Sequence, residues 1–175
     1  MKTTQTEVFD PNLQSRARAR YDREMASLQA LGFRPFGFCL EALGPYSAIL
    51  HLPILVFMLV KKEVVVFPRP ARLGVVSALQ IHSTPSAVAL CMGKGIKFYT
   101  GFDNDAMLIS STFESYAISS PESPITLNPH CPTAEEAWLL HKKGVRDMEN
   151  QGRVVHATAS VCDYIEMSQR ENVLF

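Results

Sequence analysis

Apolar residues recur every three or four positions in the first part of the chain, the spacing that puts them on one face of a helix. This spacing predicts a helix over residues 11–31, after a loosely ordered stretch over residues 1–9. Asp10 and Pro11 suit a helix start, and Gly32 suits a left-handed stop. The stripe consists of Leu13, Ala17, Tyr21, Met25, Leu28 and Leu31.

Further along, apolar residues form short runs that alternate at period two and are separated by turn signals, which is typical of strands. The turns are only a few residues long, so the runs predict an antiparallel meander rather than strands joined by helices. In one run Ile96 and Phe98 oppose Lys97 and Tyr99, which indicates a sheet with one covered face. The predicted strands are residues 36–40, 74–82, 86–92, 96–100 and 107–113.

The last part of the chain returns to helical spacing. Thr133 and Glu136 form a capping box, and Ser160 can cap a second, shorter helix. The residues that share a face are Ala134, Trp138, His141, Val145 and Met148 in the first of these helices, and Val161, Tyr164, Ile165 and Met167 in the second.

Together these patterns predict a single α+β domain over residues 1–175. It has an N-terminal helix, an antiparallel sheet of about four to six strands, and two C-terminal helices packed on one face of the sheet. Trp138 is expected to be a core anchor between helix and sheet.

One stretch stands apart, because Ala42–Val60 contains no charged residue and ends at Lys61 and Lys62. It is long enough to cross a bilayer, for which about twenty apolar residues are needed, but His51 and Pro53 in its middle are costly there. Three interpretations therefore stay open. The stretch spans a membrane, docks on a membrane or partner from one side, or is buried as two short elements broken at residues 51–53. The side chains expected to dock are Ile49, Leu50, Leu52, Ile54, Leu55, Phe57, Met58 and Leu59.

Composition narrows the class of protein. Hydrophobic residues make up 47% and charged residues 19%, and the formal net charge is zero. A neutral chain lacks the basic surface that binds phosphates, so no nucleic-acid partner is expected. The N-terminal residues are polar, without the apolar core of a secretory signal. We therefore expect a cytoplasmic location, with membrane association, if any, on the cytoplasmic side.

Four cysteines are spread along the chain without the close pairs that zinc sites need, so no metal or other cofactor is expected. All four, including Cys39, Cys91 and Cys162, are interpreted as buried free thiols in a reducing compartment. Cys131 and His141 are the weak catalytic candidates, because Cys131 lies at the start of a predicted helix, whose dipole would activate a thiol, and His141 could serve as its base. A turn is the expected role of Asp103-Asn104-Asp105, because Asp and Asn tolerate left-handed conformations.

The order of these features resembles a group of uncharacterised bacterial proteins. The resemblance rests on Leu31-Gly32-Phe33 with Gly37, on the hairpin Lys97–Ser111, and on the helix that holds Trp138 and His141. In that group the hairpin has the pattern T-x-F-x-D-G-x-x-L-x-[ST]-S, which this chain follows at Thr100, Phe102, Leu108, Ser110 and Ser111 but not at the aspartate and glycine between them. The resemblance implies an order of structural elements and no activity.

Two functions follow as hypotheses. The first is a non-enzymatic binding or accessory protein that docks on a membrane or a membrane-bound complex through its apolar segment. The second is a small cysteine-dependent or small-molecule-processing enzyme that uses Cys131 and His141. A protein partner, a second copy of the chain and a membrane surface are the candidate partners, and the sequence indicates no particular small-molecule ligand.

Overall fold

The computed structural model describes residues 4–42, 65–68, 71–93, 95–114 and 125–172. These residues form eight strands and three helices. In chain order they are β1 (Thr4–Glu7), α1 (Pro11–Ala30), β2 (Arg34–Ala42), β3 (Val65–Pro68), β4 (Ala71–Ser83), β5 (Ser86–Met92), β6 (Gly95–Gly101), β7 (Met107–Ser111), β8 (Ile125–Leu127), α2 (Ala134–Asn150) and α3 (Val161–Asn172).

The strands form one mostly antiparallel sheet in the order β1-β2-β4-β5-β6-β7-β8, and β3 pairs with β4 beside this path. The predicted α+β class and the antiparallel meander are confirmed, although the sheet has more strands than the four to six expected. Only β8 runs parallel to its neighbour, β7. The expectation of a loosely ordered stretch over residues 1–9 is wrong for Thr4–Glu7, because these residues pair with Cys39–Ala42.

The predicted limits of α1 are confirmed. Asp10 accepts hydrogen bonds from the backbone N–H groups of Asn12 and Leu13 at 2.8 and 3.4 Å. Proline occupies the first turn, and Gly32 has a φ of 91°, the left-handed conformation that ends many helices.

Each C-terminal helix also begins at its predicted cap. Thr133 Oγ1 accepts a hydrogen bond from the N–H of Glu136 at 3.2 Å, and Ser160 Oγ accepts one from the N–H of Asp163 at 3.1 Å. The pKa of the Asp163 carboxyl group is lowered, first by a hydrogen bond with the side chain of Ser160 and then by the hydrogen bonds that it accepts from the N–H groups of Ala159 and Ser160.

The two C-terminal helices cover opposite faces of the sheet, which corrects the expectation of one shared face. One buried cluster joins α1 and α2 to Phe38, Ala89 and Phe98, whereas another joins α3 to Leu79, Val88 and Tyr99. The physical reason is visible in β5, whose inner residues are buried on both sides. A sheet with two apolar faces must be covered on both.

The same burial corrects the interpretation of residues 96–100. Lys97 is 9% and Tyr99 2% exposed, so the face opposite Ile96 and Phe98 is covered as well. The Lys97 ammonium group lies 6.0 Å from the centres of the Tyr99 and Phe113 rings. A lysine stem among aromatic rings is compatible with burial.

The sheet curves around α3. Adjacent residues of this helix reach distant strands, since Ser168 hydrogen-bonds to Gln5 in β1 and Met167 lies 3.1 Å from the position of a Cβ on Gly101 in β6. In a flat sheet β1 and β6 would be about 19 Å apart, because neighbouring strands lie about 4.8 Å apart. One helix about 10–12 Å wide contacts both only if the sheet bends towards it.

Trp138 is the core anchor expected from the sequence. Its indole packs against the rings of Phe33, His82, Phe98 and His141, with ring centres 4.8 to 5.6 Å apart. This aromatic cluster joins α2 to the part of the sheet next to α1.

Candidate functional site

Two regions carry the candidate functional residues, the apolar segment and the surroundings of His141. The eight expected docking side chains, from Ile49 to Leu59, lie outside the described residues. Among the described residues, no helix is long and apolar enough to cross a bilayer.

Ala42, the first residue of the apolar segment, and Val65, the next described residue along the chain, lie close together in the sheet. Ala42, at the end of β2, pairs with Gly74 on one side of β4, and Val65, at the start of β3, pairs with Gly74 on the other. Two strand spacings amount to about 10 Å. The described residues before and after residues 43–64 therefore lie close together in the sheet.

Gly74, which pairs with both Ala42 and Val65, has little room for a side chain. A Cβ on Gly74 would lie 2.6 Å from Leu40 Cδ1 and 3.2 Å from the carbonyl oxygen of Glu41. A side chain here would have to displace the end of Leu40 and would crowd the carbonyl oxygen of Glu41, so glycine favours the close approach of β2 to β4.

The second region is a buried polar network around His141, whose side chain is fully buried on α2. Its Nδ1 lies 2.8 Å from Ser110 Oγ, and its Nε2 lies 2.9 Å from Thr100 Oγ1. Thr100 Oγ1 also donates to the carbonyl oxygen of Ser86 at 3.0 Å, and Asn128 Nδ2 donates to Ser110 Oγ at 2.9 Å.

These contacts fix the tautomer of the imidazole. The single hydroxyl proton of Thr100 goes to the Ser86 carbonyl, so Thr100 Oγ1 must accept from His141 Nε2–H. Nδ1 is then unprotonated and accepts from Ser110. The hydrogen bonds are all donated in the same direction. Asn128 donates to Ser110, Ser110 donates to His141, and His141 donates to Thr100.

Burial keeps this histidine neutral. It lowers the pKa of His141 from 6.5 to about 3, because an imidazolium ion loses its hydration there and finds no carboxylate among its hydrogen-bond partners. A serine hydroxyl bonded to a histidine has the composition of a nucleophile and base. Ser110 is only 1% exposed, however, so the pair holds α2 on β6 and β7 rather than facing solvent.

Cys131 and His141 are not hydrogen-bonded to each other. Both nitrogens of His141 are engaged by hydroxyl groups, whereas Cys131 is half-buried and its Sγ lies 3.9 Å from the carbonyl oxygen of Pro129. Cys131 also precedes the helix cap, Thr133, and so stands outside the helix whose dipole was expected to activate it. The hypothesis of a cysteine-dependent enzyme stays a prediction.

Cys39 and Cys91 are buried as expected, whereas Cys162 is exposed, which corrects the expectation of a buried thiol there. The reactivity of the thiols tests the enzyme hypothesis. We expect a thiol reagent at neutral pH to modify the exposed Cys162 first and Cys131 next, with Cys39 and Cys91 reacting only when the protein unfolds. Burial raises the pKa of both Cys39 and Cys91 to about 12, and only the thiolate reacts. Mass spectrometry of the peptides over time measures the order, and a Cys162→Ser variant assigns the fast phase. If Cys131 is the nucleophile of an enzyme, it should instead react faster than Cys162, Cys39 and Cys91.

Three members of the network were missed by sequence reasoning. Ser110 and Thr100 lie in strands and Asn128 lies in a loop, and nothing in their spacing links them to His141 on α2. The available signal was a polar residue inside an apolar strand, as Ser110 is in Met107–Ser111. Within the described residues, no group of three or more His, Cys, Asp or Glu side chains could hold a metal ion.

Comparison of this chain with known protein families, with curated proteins and with solved structures finds no match. The resemblance to uncharacterised bacterial proteins therefore stays a prediction, carried by the residues that suggested it.

Proposed function

We propose that this chain is a non-enzymatic binding or accessory protein that docks on a membrane or a membrane-bound complex through its apolar segment. The observation that carries the proposal is the position of the segment's ends. An uncharged stretch begins at Ala42 and the chain is back in the same sheet at Val65, on the other side of Gly74.

This geometry favours docking from one side over crossing. A crossing from Ala42 to Val60 would place Val60 beyond a hydrocarbon layer about 30 Å thick. The five residues from Val60 to Val65 can bridge at most about 18 Å, and Val65 lies only two strand spacings, or about 10 Å, from Ala42. The segment can therefore enter a bilayer or an apolar groove only to return on the side from which it came.

Both acidic and basic residues flank the apolar stretch, with Glu41 before it and Glu63 after the two lysines, and the lysines suit an anionic membrane surface. Lys61 and Lys62 follow the apolar stretch directly, and each lysine near an anionic surface contributes about 1 kcal/mol to binding. The alternative, a small cysteine-dependent enzyme, gains no support from a histidine whose two nitrogens are bonded to hydroxyls.

Replacing residues 43–64 by a six-residue Gly-Ser linker is expected to abolish docking and to preserve the fold. A flexible linker of this length covers the gap between Ala42 and Val65, since its mean span is about 12–15 Å. We expect the full chain to co-sediment with protein-free vesicles containing anionic lipid, and the linker variant to bind at least ten-fold less. The two melting temperatures should agree within a few degrees.

Vesicles without any protein separate the two docking targets. Binding to them identifies lipid as the target, whereas a chain that pellets with native membranes but not with such vesicles docks on a membrane-bound protein. The proposal is contradicted if the full chain stays in the high-speed supernatant without detergent, is a stable monomer, and binds neither preparation.

A further inference from the structure

The arginines of α1 give this helix a positive charge that the other two described helices do not share. α1 contains four arginines and two acidic residues, whereas α2 and α3 together contain four basic and seven acidic residues. The whole chain has a formal net charge of zero, so positive and negative charge are separated between elements. A protein with separated charges is oriented by the field of a charged surface.

Two of these arginines lie on the outer side of the helix. Ala17, Tyr21 and Leu28 are buried against the sheet, whereas Arg16 and Arg23 are exposed. Their spacing of seven residues is about two helical turns, so both lie on the same side of α1. Neither guanidinium group forms a hydrogen bond or an ion pair with another residue in the part of the chain that the structure describes. The charges of these outer arginines, Arg16 and Arg23, are therefore available to a partner.

The other two arginines of α1 pack on aromatic rings of the protein itself. The guanidinium group of Arg18 lies 5.5 Å from the centre of the Phe38 ring, and that of Arg20 lies 5.1 Å from the centre of the Tyr21 ring. A cation above an aromatic face is attracted by the negative charge of that face. The outer arginines are therefore the ones that an external anion would meet first.

α1 lies next to the strand from which the apolar segment begins. Arg18 contacts Phe38 of β2, and Ala42 follows Phe38 by four residues, or about 13 Å of strand. α1 is itself about 30 Å long. A surface that receives the apolar segment at Ala42 is therefore within reach of α1 as well.

We propose that Arg16 and Arg23 contact the anionic lipid headgroups of the membrane on which the apolar segment docks. This inference rests on the proposed function and adds a second contact, which determines the face that the protein turns towards the membrane. The planar guanidinium group of arginine suits phosphate oxygens, and each arginine near an anionic surface strengthens binding about five-fold. The same surface repels the acidic residues of α2 and α3, so α1 is the helix that faces it.

Co-sedimentation of the full chain with two kinds of vesicle tests this inference. Vesicles of phosphatidylcholine alone measure docking by the apolar segment, and vesicles that also contain phosphatidylserine measure the added contact with anionic lipid. We expect Arg16→Gln/Arg23→Gln to weaken binding to the anionic vesicles at least five-fold and to leave binding to the neutral vesicles unchanged. For the unmodified chain, high salt should lower binding to the anionic vesicles to the neutral level, because salt screens exposed charges.

A second double variant, Lys143→Gln/Arg146→Gln, is the matched control. It removes two exposed positive charges from α2 and so changes the net charge by the same amount. Its binding to both kinds of vesicle should stay within two-fold of that of the unmodified chain. Equal melting temperatures of the three proteins show that the fold is retained, as is usual for substitutions of exposed side chains.

The outcomes separate this inference from the proposed function. An equal loss in both double variants, or no loss in Arg16→Gln/Arg23→Gln, overturns the contact with lipid and leaves docking by the apolar segment intact. A full chain that binds native membranes but neither kind of vesicle also overturns it, and one that binds none of them overturns the proposed function as well. A loss by the α1 variant on native membranes alone would assign the outer arginines to an acidic membrane protein and overturn the contact with lipid.

Discussion

Replacing His141 by leucine is expected to lower the free energy of unfolding by about 2–4 kcal/mol, although leucine is apolar and similar in volume. The imidazole accepts a hydrogen bond from Ser110 and donates one to Thr100 in a fully buried setting. Leucine leaves the Ser110 hydroxyl without an acceptor, and each buried polar group that loses its partner costs about 1–3 kcal/mol. Urea unfolding at pH 7 measures the change, with an unchanged slope as the sign that both states keep their compactness.

A second substitution shows whether the lost hydrogen bonds cause the effect. Ser110→Ala in the His141→Leu background removes the stranded hydroxyl, so the double variant should regain at least half of the lost stability. Asn128, which donates to Ser110, loses a buried acceptor but keeps a long contact of 3.4 Å to the carbonyl oxygen of Leu140. Strictly additive losses in the two single variants and the double variant would contradict a coupled network.

Acid is expected to destabilise the protein through the same histidine, by about 3 kcal/mol between pH 7 and pH 4. The folded-state pKa of His141 is about 3, whereas the unfolded chain takes up this proton near pH 6.5. Between these values the unfolded state binds more protons, so the free energy of unfolding falls as the pH falls. The loss begins near pH 6.5 and is complete near pH 3.

The His141→Leu variant isolates this contribution. It lacks the titrating group, so its stability should depend less on pH, and the gap between variant and unmodified chain should shrink or reverse by pH 4. The carboxyl group of Asp163, whose pKa is lowered by its hydrogen bonds, acts in the same direction in both proteins and cancels in the comparison. In nuclear magnetic resonance spectra the ring of His141 should stay neutral, with the proton on Nε2, down to pH 4. Titration of this ring near pH 6.5 would show that the network is not buried as described.

The helices could be predicted from local signals. Asp10, Thr133 and Ser160 each form the expected cap, and Gly32 supplies the expected stop, because capping depends on residues within a few positions of each other. The strands from Ala71 to Ser111 were also found, since their runs and turns are short. The polar strand Thr4–Glu7 was missed because an edge strand exposes much of its surface and carries no apolar run.

The arrangement of these elements could not be predicted in the same way. Period two places Phe36 and Phe38 on one face, but one extra residue at the bulge moves Phe36 to the other, and only pairing with β4 reveals the slip. The faces covered by α2 and α3 were equally hidden. Both faces of β5 are apolar, so its sequence does not show which helix covers which face.

The candidate sites also differ in whether local sequence or tertiary contacts determine them. The sequence by itself determined the apolar segment 42–60, the helix face that carries Trp138 and His141, and the spread of the four cysteines, because composition and periodicity are properties of neighbouring residues. Only the tertiary structure decided that Ala42 and Val65 pair with opposite sides of Gly74, that Ser110 and Thr100 rather than Cys131 engage His141, and that α2 and α3 cover opposite faces of the sheet. Each of these depends on contacts between residues far apart in the chain, and the strand register and the packing of helices on the sheet set those contacts.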